Sequence, residues 1–289
     1  AAARALAAAE QWFERIRTST NPPLRVERSS YAALVNSWAK SLRLMQQRSQ
    51  PQQPNDRHSS AGASSPSLHS YGRIHRQRVL GAARRVEFWL KRMIEDGLRP
   101  EPSLFHTTIS ALGMAGSVAS AQRWFDELQE RSEHLRATPV SYGVIIGAYA
   151  ANGNTKRAAS LLAEMRARSI VPDASCFLPL ILHAHSPHEA GAWMRALTSL
   201  AEKERRRARN QSSAHTLGYN HANPALSIPR EAYEAVVRIQ ARHHQWVEAE
   251  STLHKMTARA GIKPNVPLLL PISEAHYKEG RYRRLEDLF

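Results

Sequence analysis

With 289 residues, 42% of them hydrophobic and 22% charged, the chain has the composition of a folded protein too long for one ordinary core, which leaves two domains or a repeat array. Lys and Arg total 40 against 25 Asp and Glu, a formal net charge of +15, and this points to a polyanionic partner, nucleic acid ahead of an anionic membrane surface. The single cysteine, Cys176, excludes a disulfide framework and a cysteine-based zinc site, and no apolar run approaches the roughly 18 residues of a membrane span.

The chain does not open on Met, which implies a processed or truncated N-terminus. Its Ala/Arg-rich, acid-poor start has the composition of an organelle transit remnant. An ordinary helix is the preferred reading, because AEQWFERI follows in phase with Ala9, Trp12, Phe13 and Ile16 on an apolar face. A second helix is expected from Tyr31 to Ser41. Residues 46–70 are Gln/Ser/Pro-rich with almost no apolar side chains, so they cannot repay the entropy of ordering and are expected to be a disordered insertion. Helix resumes from about Ile74, with Val86, Trp89, Leu90 and Met93 on one face, and stops at GLRPE.

From there the pattern becomes regular. Phe105, Thr108, Ile109 and Leu112 form one stripe, Gly116 a break, and Ala121, Trp124, Phe125 and Leu128 a second stripe, followed by the loop SEHLRATP. Tyr142, Ile145, Ile146 and Tyr149 lie at i, i+3, i+4 and i+7. Gly153 then suits a left-handed helix end, Ala158, Leu161, Leu162 and Met165 form the next stripe, and Pro172 stops it. Cys176 sits in the apolar run CFLPLIL, where a small buried residue is expected rather than a nucleophile. Pro187 starts another helix, which runs into the charged extension AEKERRRARNQSS and a polar stretch to about residue 227. Tyr233, Val236 and Val237 open a further pair, with His243 and His244 near the end of its first helix, where cations are favourable. Ala249, Leu253 and Met256 make its second stripe, GIKPN closes it, and Leu269 to Phe289 begin one more unit with Gly280 at its break.

The template thus recurs: 35 residues separate Pro139 and Asp173 counted inclusively, and GLRPE, SIVPD and GIKPN each place Pro before an acidic residue or Asn. No such helix pair buries its stripe alone, so neighbours must stack. The expected fold is all-α, a right-handed α-solenoid superhelix of tandem helix-turn-helix repeats of about 35 residues over 1–289, with one insertion at 46–70 and a basic, polar one at 201–227.

These motifs resemble the pentatricopeptide repeat family, which has an aromatic early in helix A, Gly between helices and a closing Gly-aliphatic-x-Pro-(Asp/Asn). The matches are Tyr142 with Gly153 and Pro172-Asp173, Phe105 with Gly116, Gly97 to Glu101, and Gly261 to Asn265. The tetratricopeptide repeat ranks second, since it does not favour the terminal Pro-Asp pair. The resemblance implies a single-stranded RNA or rRNA partner, one base facing each repeat and read by the repeat's fifth and last residues. Carried over, the reading pairs are Ala32 with Glu101, His106 with Thr138, Gly143 with Asp173, and Glu234 with Asn265. None is a standard pair: Ala32 and Gly143 offer no side-chain hydrogen bond, and Glu234 would repel a phosphate. The base-wedging second positions hold Ser29, Ser103, Val140, Ser175, Glu231 and Pro267, of which only Val140 fits.

Arg205, Arg206, Arg207 and Arg209 are the densest positive block, a candidate phosphate-contacting arm whose plain alternative is a solvated helix end. No catalytic residue, metal site or cofactor is expected. Five scattered Asp cannot cluster around cations, one Cys cannot complete a zinc deaminase, and no nucleotide-binding or hydrolase motif appears. His183, His185 and His188 read as turn and surface residues. The functional expectation is a non-enzyme of a mitochondrial or plastid matrix that binds RNA, either directly or as a structural subunit of a ribonucleoprotein such as an organelle ribosome. The alternative is a protein scaffold that uses the groove without RNA.

Overall fold

A computed structural model describes residues 2–18, 26–47, 68–130, 138–212 and 228–278, and every regular element in them is an α-helix. The chain falls into two compact units that divide between Ala137 and Thr138.

Unit 1 holds α1 (Ala2–Thr18), α2 (Arg28–Gln47), α3 (Leu68–Glu95), α4 (Pro102–Met114) and α5 (Val118–Glu130). Here α2 packs on α3 and α4, α1 on α2, and α4 on α5, so α2/α3 and α4/α5 are successive pairs. Of the 46–70 insertion, residues 48–67 lie outside the described residues. Its ends are helical, since Gln47 closes α2 and Leu68 opens α3, ahead of the expected Ile74. The loop expected at SEHLRATP falls, but for its last two residues, outside the described residues as well.

The first helix departs from its expected face. Phe13 is buried, with its ring 4.8 Å from Tyr31 and 5.1 Å from Trp89, whereas Trp12 is 65% and Ile16 42% exposed. Glu10 takes their place in the core. Its carboxylate accepts from the indole N–H of Trp38 at 2.8 Å and from that of Trp89, and Arg85 lies 3.4 Å away. Two buried donors and a cation repay the desolvation of that carboxylate, so the packing seam runs along Glu10, Phe13 and Arg17 rather than along the apolar stripe. Arg17 pairs with Glu14 at 2.9 Å and with Asp96 at 3.1 Å, and Asp96 also accepts from the Tyr31 hydroxyl.

Unit 2 holds α6 (Pro139–Ala151), α7 (Thr155–Ala167), α8 (Ala174–Leu182), α9 (Pro187–Ser212), α10 (Arg230–Arg242), α11 (Trp246–Ala260) and α12 (Val266–Lys278). Contacts run α6 to α8, α8 to α10 and α10 to α12, which makes these the first helices of successive pairs, and α6, α8 and α10 each also pack on their own second helix, α7, α9 and α11 in turn. Tyr233, Val237, Leu253, Met256, Leu269 and Ile272 form the core of the last pairs. Of the stripes expected at Tyr142/Ile145/Ile146/Tyr149 and Ala158/Leu161/Leu162/Met165, all but the half-buried Tyr149 are buried at 2% exposure or less. The end expected at Gly280 and residues 213–227 lie outside the described residues.

The breaks share one geometry. Gly97, Gly116 and Gly153 have φ of 76°, 79° and 78°, and the residue after each returns an N–H to a carbonyl five residues back, as Asn154 does to Tyr149 at 3.0 Å. Ser169 and His244 occupy the same left-handed position at φ 59° and 58°, closed by Ile170 N–H to Met165 at 3.0 Å and Gln245 N–H to Gln240 at 2.9 Å. A side chain there costs about 1–2 kcal/mol relative to glycine.

Candidate nucleic-acid interface

The first turns of α2 and α4 frame an open cleft of about 590 Å³ in unit 1, lined by Arg28, Ser29, Ala32 and Asn36 from α2 and by Glu101 and Ser103 at the start of α4. The structure therefore brings the pair Ala32 and Glu101 to one cavity, together with the second positions Ser29 and Ser103. Glu101 precedes α4 in an extended conformation and makes no side-chain cap hydrogen bond. Asn36 is an exposed amide four residues after Ala32, on the same face of α2. Counting by fixed repeat position missed it; the i+4 spacing from Ala32 was the available signal. His106, also in unit 1, is half-buried, and loss of solvation lowers its pKa below the usual imidazole value, so the ring is neutral at pH 7.

Its partner by position, Thr138, belongs to unit 2 and is occupied in a capping box. Ser141 N–H donates to the Thr138 hydroxyl at 3.3 Å, and Thr138 N–H donates to the Ser141 hydroxyl at 3.2 Å.

Gly143 and Asp173 both serve the joint between α6 and α8. A Cβ on Gly143 would stand 2.6 Å from the Ser175 hydroxyl oxygen, 2.9 Å from its carbonyl oxygen and 3.0 Å from its carbonyl carbon. Pro179, four residues on, has no N–H to give that carbonyl, so the α6 backbone approaches α8 where the helix ladder is open. Asp173 caps α8, its Oδ1 accepting from Ser175 N–H at 3.0 Å and from the Ser175 hydroxyl at 2.5 Å.

Glu234 does not stand as a bare negative charge. Arg230 Nε donates to one oxygen at 2.7 Å and Arg238 Nη2 to the other at 2.8 Å, a clamp at i−4 and i+4 that leaves one net positive charge. Asn265 opens α12 with its main-chain carbonyl, which accepts from Leu268 N–H at 3.0 Å and Leu269 N–H at 3.3 Å. The second positions Ser29, Ser103, Val140, Ser175, Glu231 and Pro267 are all exposed, Val140 at 49%.

The arginine block lies on the C-terminal part of α9, past Ala201, the last residue of the helix described as buried. Arg205, Arg206 and Arg207 are exposed, Arg207 pairs with Glu204 at 2.9 Å, and the Arg209 side chain lies outside the described residues. At a rise of about 1.5 Å per residue, α9 is twice as long as the 13-residue α10 beside it, so it projects beyond the packed layer.

Glu189, near the three histidines, is engaged in starting α9: it accepts from His185 N–H at 3.0 Å while its own N–H donates to the Ser186 hydroxyl at 3.1 Å. Burial pushes the Cys176 thiol up to about 12, so the thiolate a nucleophile needs is not formed. Among the described residues no helix is long and apolar enough to cross a membrane.

Comparison with known proteins places a repeat on this frame. The PPR repeat family matches residues 140–170, which are α6, α7 and the turn between them. No curated protein matches the chain. Among solved structures it is similar to the pentatricopeptide repeat protein PPR10 from maize, at 14% identity and a TM-score of 0.45 over 98% of this chain and 35% of that one. It is also similar to PPR10 in complex with an 18-nt psaJ RNA element, at 15% identity and a TM-score of 0.48 over 98% of this chain and 37% of that one. The chain thus spans little more than a third of the length of the solved proteins it resembles. What the comparisons assign is therefore one stretch of the chain: residues 140–170, the α6–α7 pair, match the PPR repeat family.

Proposed function

We propose that this chain is a non-catalytic RNA-binding protein of a mitochondrial or plastid matrix, held on RNA by backbone charge and acting as a structural subunit of a ribonucleoprotein such as the organelle ribosome. The observation that carries the reading is the exposed arginine run on the projecting part of α9, in a chain with a net charge of +15. Phosphate contacts of this kind fix position without reading sequence. The reading pairs support the same view, because Thr138, Gly143, Asp173 and Glu234 are engaged in capping, close packing and ion pairing, leaving Ala32 and Glu101 as the pair beside an open cleft. Each base-specific contact would need a donor or acceptor free to turn toward the base.

The test is the salt dependence of binding to single-stranded RNA for the whole chain and for R205Q/R206Q/R207Q/R209Q. Log affinity should fall with log salt, and the variant should flatten the slope by about 0.7 for each phosphate contact removed. Co-sedimentation with organelle ribosomal particles checks the assembly. An unchanged slope would refute the arm, and a wild-type chain without salt-dependent RNA affinity would leave the protein-scaffold reading.

A further inference from the structure

A second cleft in unit 1, about 580 Å³ and open, lies between α1 and α3 and shares no lining residue with the α2–α4 cleft. Gln11 and Arg15 line it from α1, Arg85 and Phe88 from α3. Phe88 lines the cleft at 44% exposure, and Trp12, which does not line it, is 65% exposed beside the lining residue Arg15. The Arg15 guanidinium sits 5.6 Å from the centre of the Trp12 ring, so a cation and an indole face are already paired at the surface.

The α3 side repeats the combination. Arg78, Gly81, Arg85, Phe88 and Lys91 are exposed at spacings of three and four, one stripe about 20 Å long. Three of the five are cations and one is aromatic. The two carboxylates that face the cleft are answered within the unit, Glu10 by two indoles and Arg85, Glu14 by Arg17 at 2.9 Å. An apolar partner helix laid on this stripe would have to strip water from the cations without returning a charge. A single-stranded nucleic acid presents what these side chains lack: flat π-faces for Phe88 and for Trp12 on α1, and phosphates for Arg78 and Lys91.

We propose that the α1–α3 face of unit 1 binds single-stranded nucleic acid, stacking bases on Trp12 and Phe88 while Arg15, Arg78 and Lys91 neutralise the backbone. This site is separate from the fifth- and last-residue positions and from the α9 arm. Stacking is tolerant of base identity, so the site holds RNA without a sequence preference.

The experiment is fluorescence anisotropy of the whole chain with a labelled oligouridine. W12A/F88A should weaken binding about tenfold or more, measured below its thermal midpoint, which loss of the Phe88 edge contact to Trp89 at 5.2 Å should lower. R78Q/K91Q should lower the salt slope by about 1.4, for two phosphate contacts. The same tenfold loss should appear when W12A/F88A is placed on R205Q/R206Q/R207Q/R209Q, which separates this face from the α9 arm. Uridine photo-crosslinks should map to the peptides that hold Trp12 and Phe88, a readout that stands even if the double variant folds poorly. Wild-type affinity in a folded W12A/F88A protein overturns the proposal. So does a change in its sedimentation at unchanged RNA affinity, the signature of a face that seats protein.

Discussion

Placing a side chain on Gly143 tests whether its position belongs to packing or to base reading. In Gly143→Ala the new methyl would meet the Ser175 hydroxyl at 2.6 Å, which can rotate away, but also the Ser175 carbonyl oxygen at 2.9 Å and carbonyl carbon at 3.0 Å, which cannot. Either α6 or α8 must shift, and forced overpacking of this kind costs about 1–3 kcal/mol. Replacing a mid-helix glycine returns about 0.5–1 kcal/mol of backbone entropy, so the net expectation is a loss of about 1–2 kcal/mol. Gly147, one turn along the same helix, is the internal control. Its Cβ would stand 3.5 Å from Pro179, ordinary contact, so Gly147→Ala should gain about 0.5–1 kcal/mol. Urea unfolding followed by circular dichroism compares the two midpoints directly, without requiring that a repeat protein unfold in two states. Gly143→Asn, which supplies the amide that a base-reading repeat would carry, should lose at least as much stability and gain no base preference in oligonucleotide binding. If Gly143→Ala raised the midpoint as Gly147→Ala should, or if Gly143→Asn acquired a base preference, the close approach of α6 and α8 would not be what keeps this position glycine.

Leu162→Ala truncates a side chain 2% exposed in unit 2 and should cost about 2–5 kcal/mol in urea unfolding. Ser169→Gly relieves a left-handed backbone and should raise stability by about 1 kcal/mol, whereas Gly153→Ala, at φ 78°, should lower it by a similar amount. Glu234→Gln frees Arg230 and Arg238, so RNA affinity should rise and its salt slope steepen; the arginines are exposed, so stability should change by less than about 1 kcal/mol. His106 and His183 both have pKa values lowered by burial, His183 further by His185. The folded state therefore binds fewer protons than the unfolded chain as pH falls through the unfolded value of 6.5, and thermal midpoints should drop below that pH and drop less in His106→Gln/His183→Gln.

The helix pairs were legible because their signals are local. An apolar stripe at three and four, a residue that tolerates positive φ and a Pro after the second helix are each fixed within a few residues. Local signals are silent where partners come from far along the chain. Nothing near Glu10 announces that Trp38 and Trp89 converge on it, so the apolar stripe through Trp12 and Ile16 is a poor guide to the face this helix buries. At Ser169 and His244 the left-handed turn is there without the glycine that advertises it, and those ends are legible instead from Pro172 and from the histidine pair at the helix end.

The interface positions show why an apparently illegible code is physically consistent. A residue five places into the first helix of a pair has two neighbours competing for it, a ligand in the groove and the next helix along. In α6 the next helix wins, because Gly143 lies against the Ser175 carbonyl and Asp173 holds Ser175 in place from the other side, so three residues that sequence counting assigns to base contact form one packing joint. In α10 the electrostatics win, because Glu234 clamped between Arg230 and Arg238 turns an apparent repulsive charge into a net positive step. Between α2 and α4 the pair, Ala32 with Glu101, lies beside an open cleft, and Asn36, an exposed amide a turn away from Ala32, lines the same cleft. On the proposed reading, a scaffold whose reading positions are absorbed by its own joints would keep RNA by charge and stacking, on side chains that reach solvent: the arginines past Ala201 on α9, and Trp12, Phe88, Arg78 and Lys91 in unit 1.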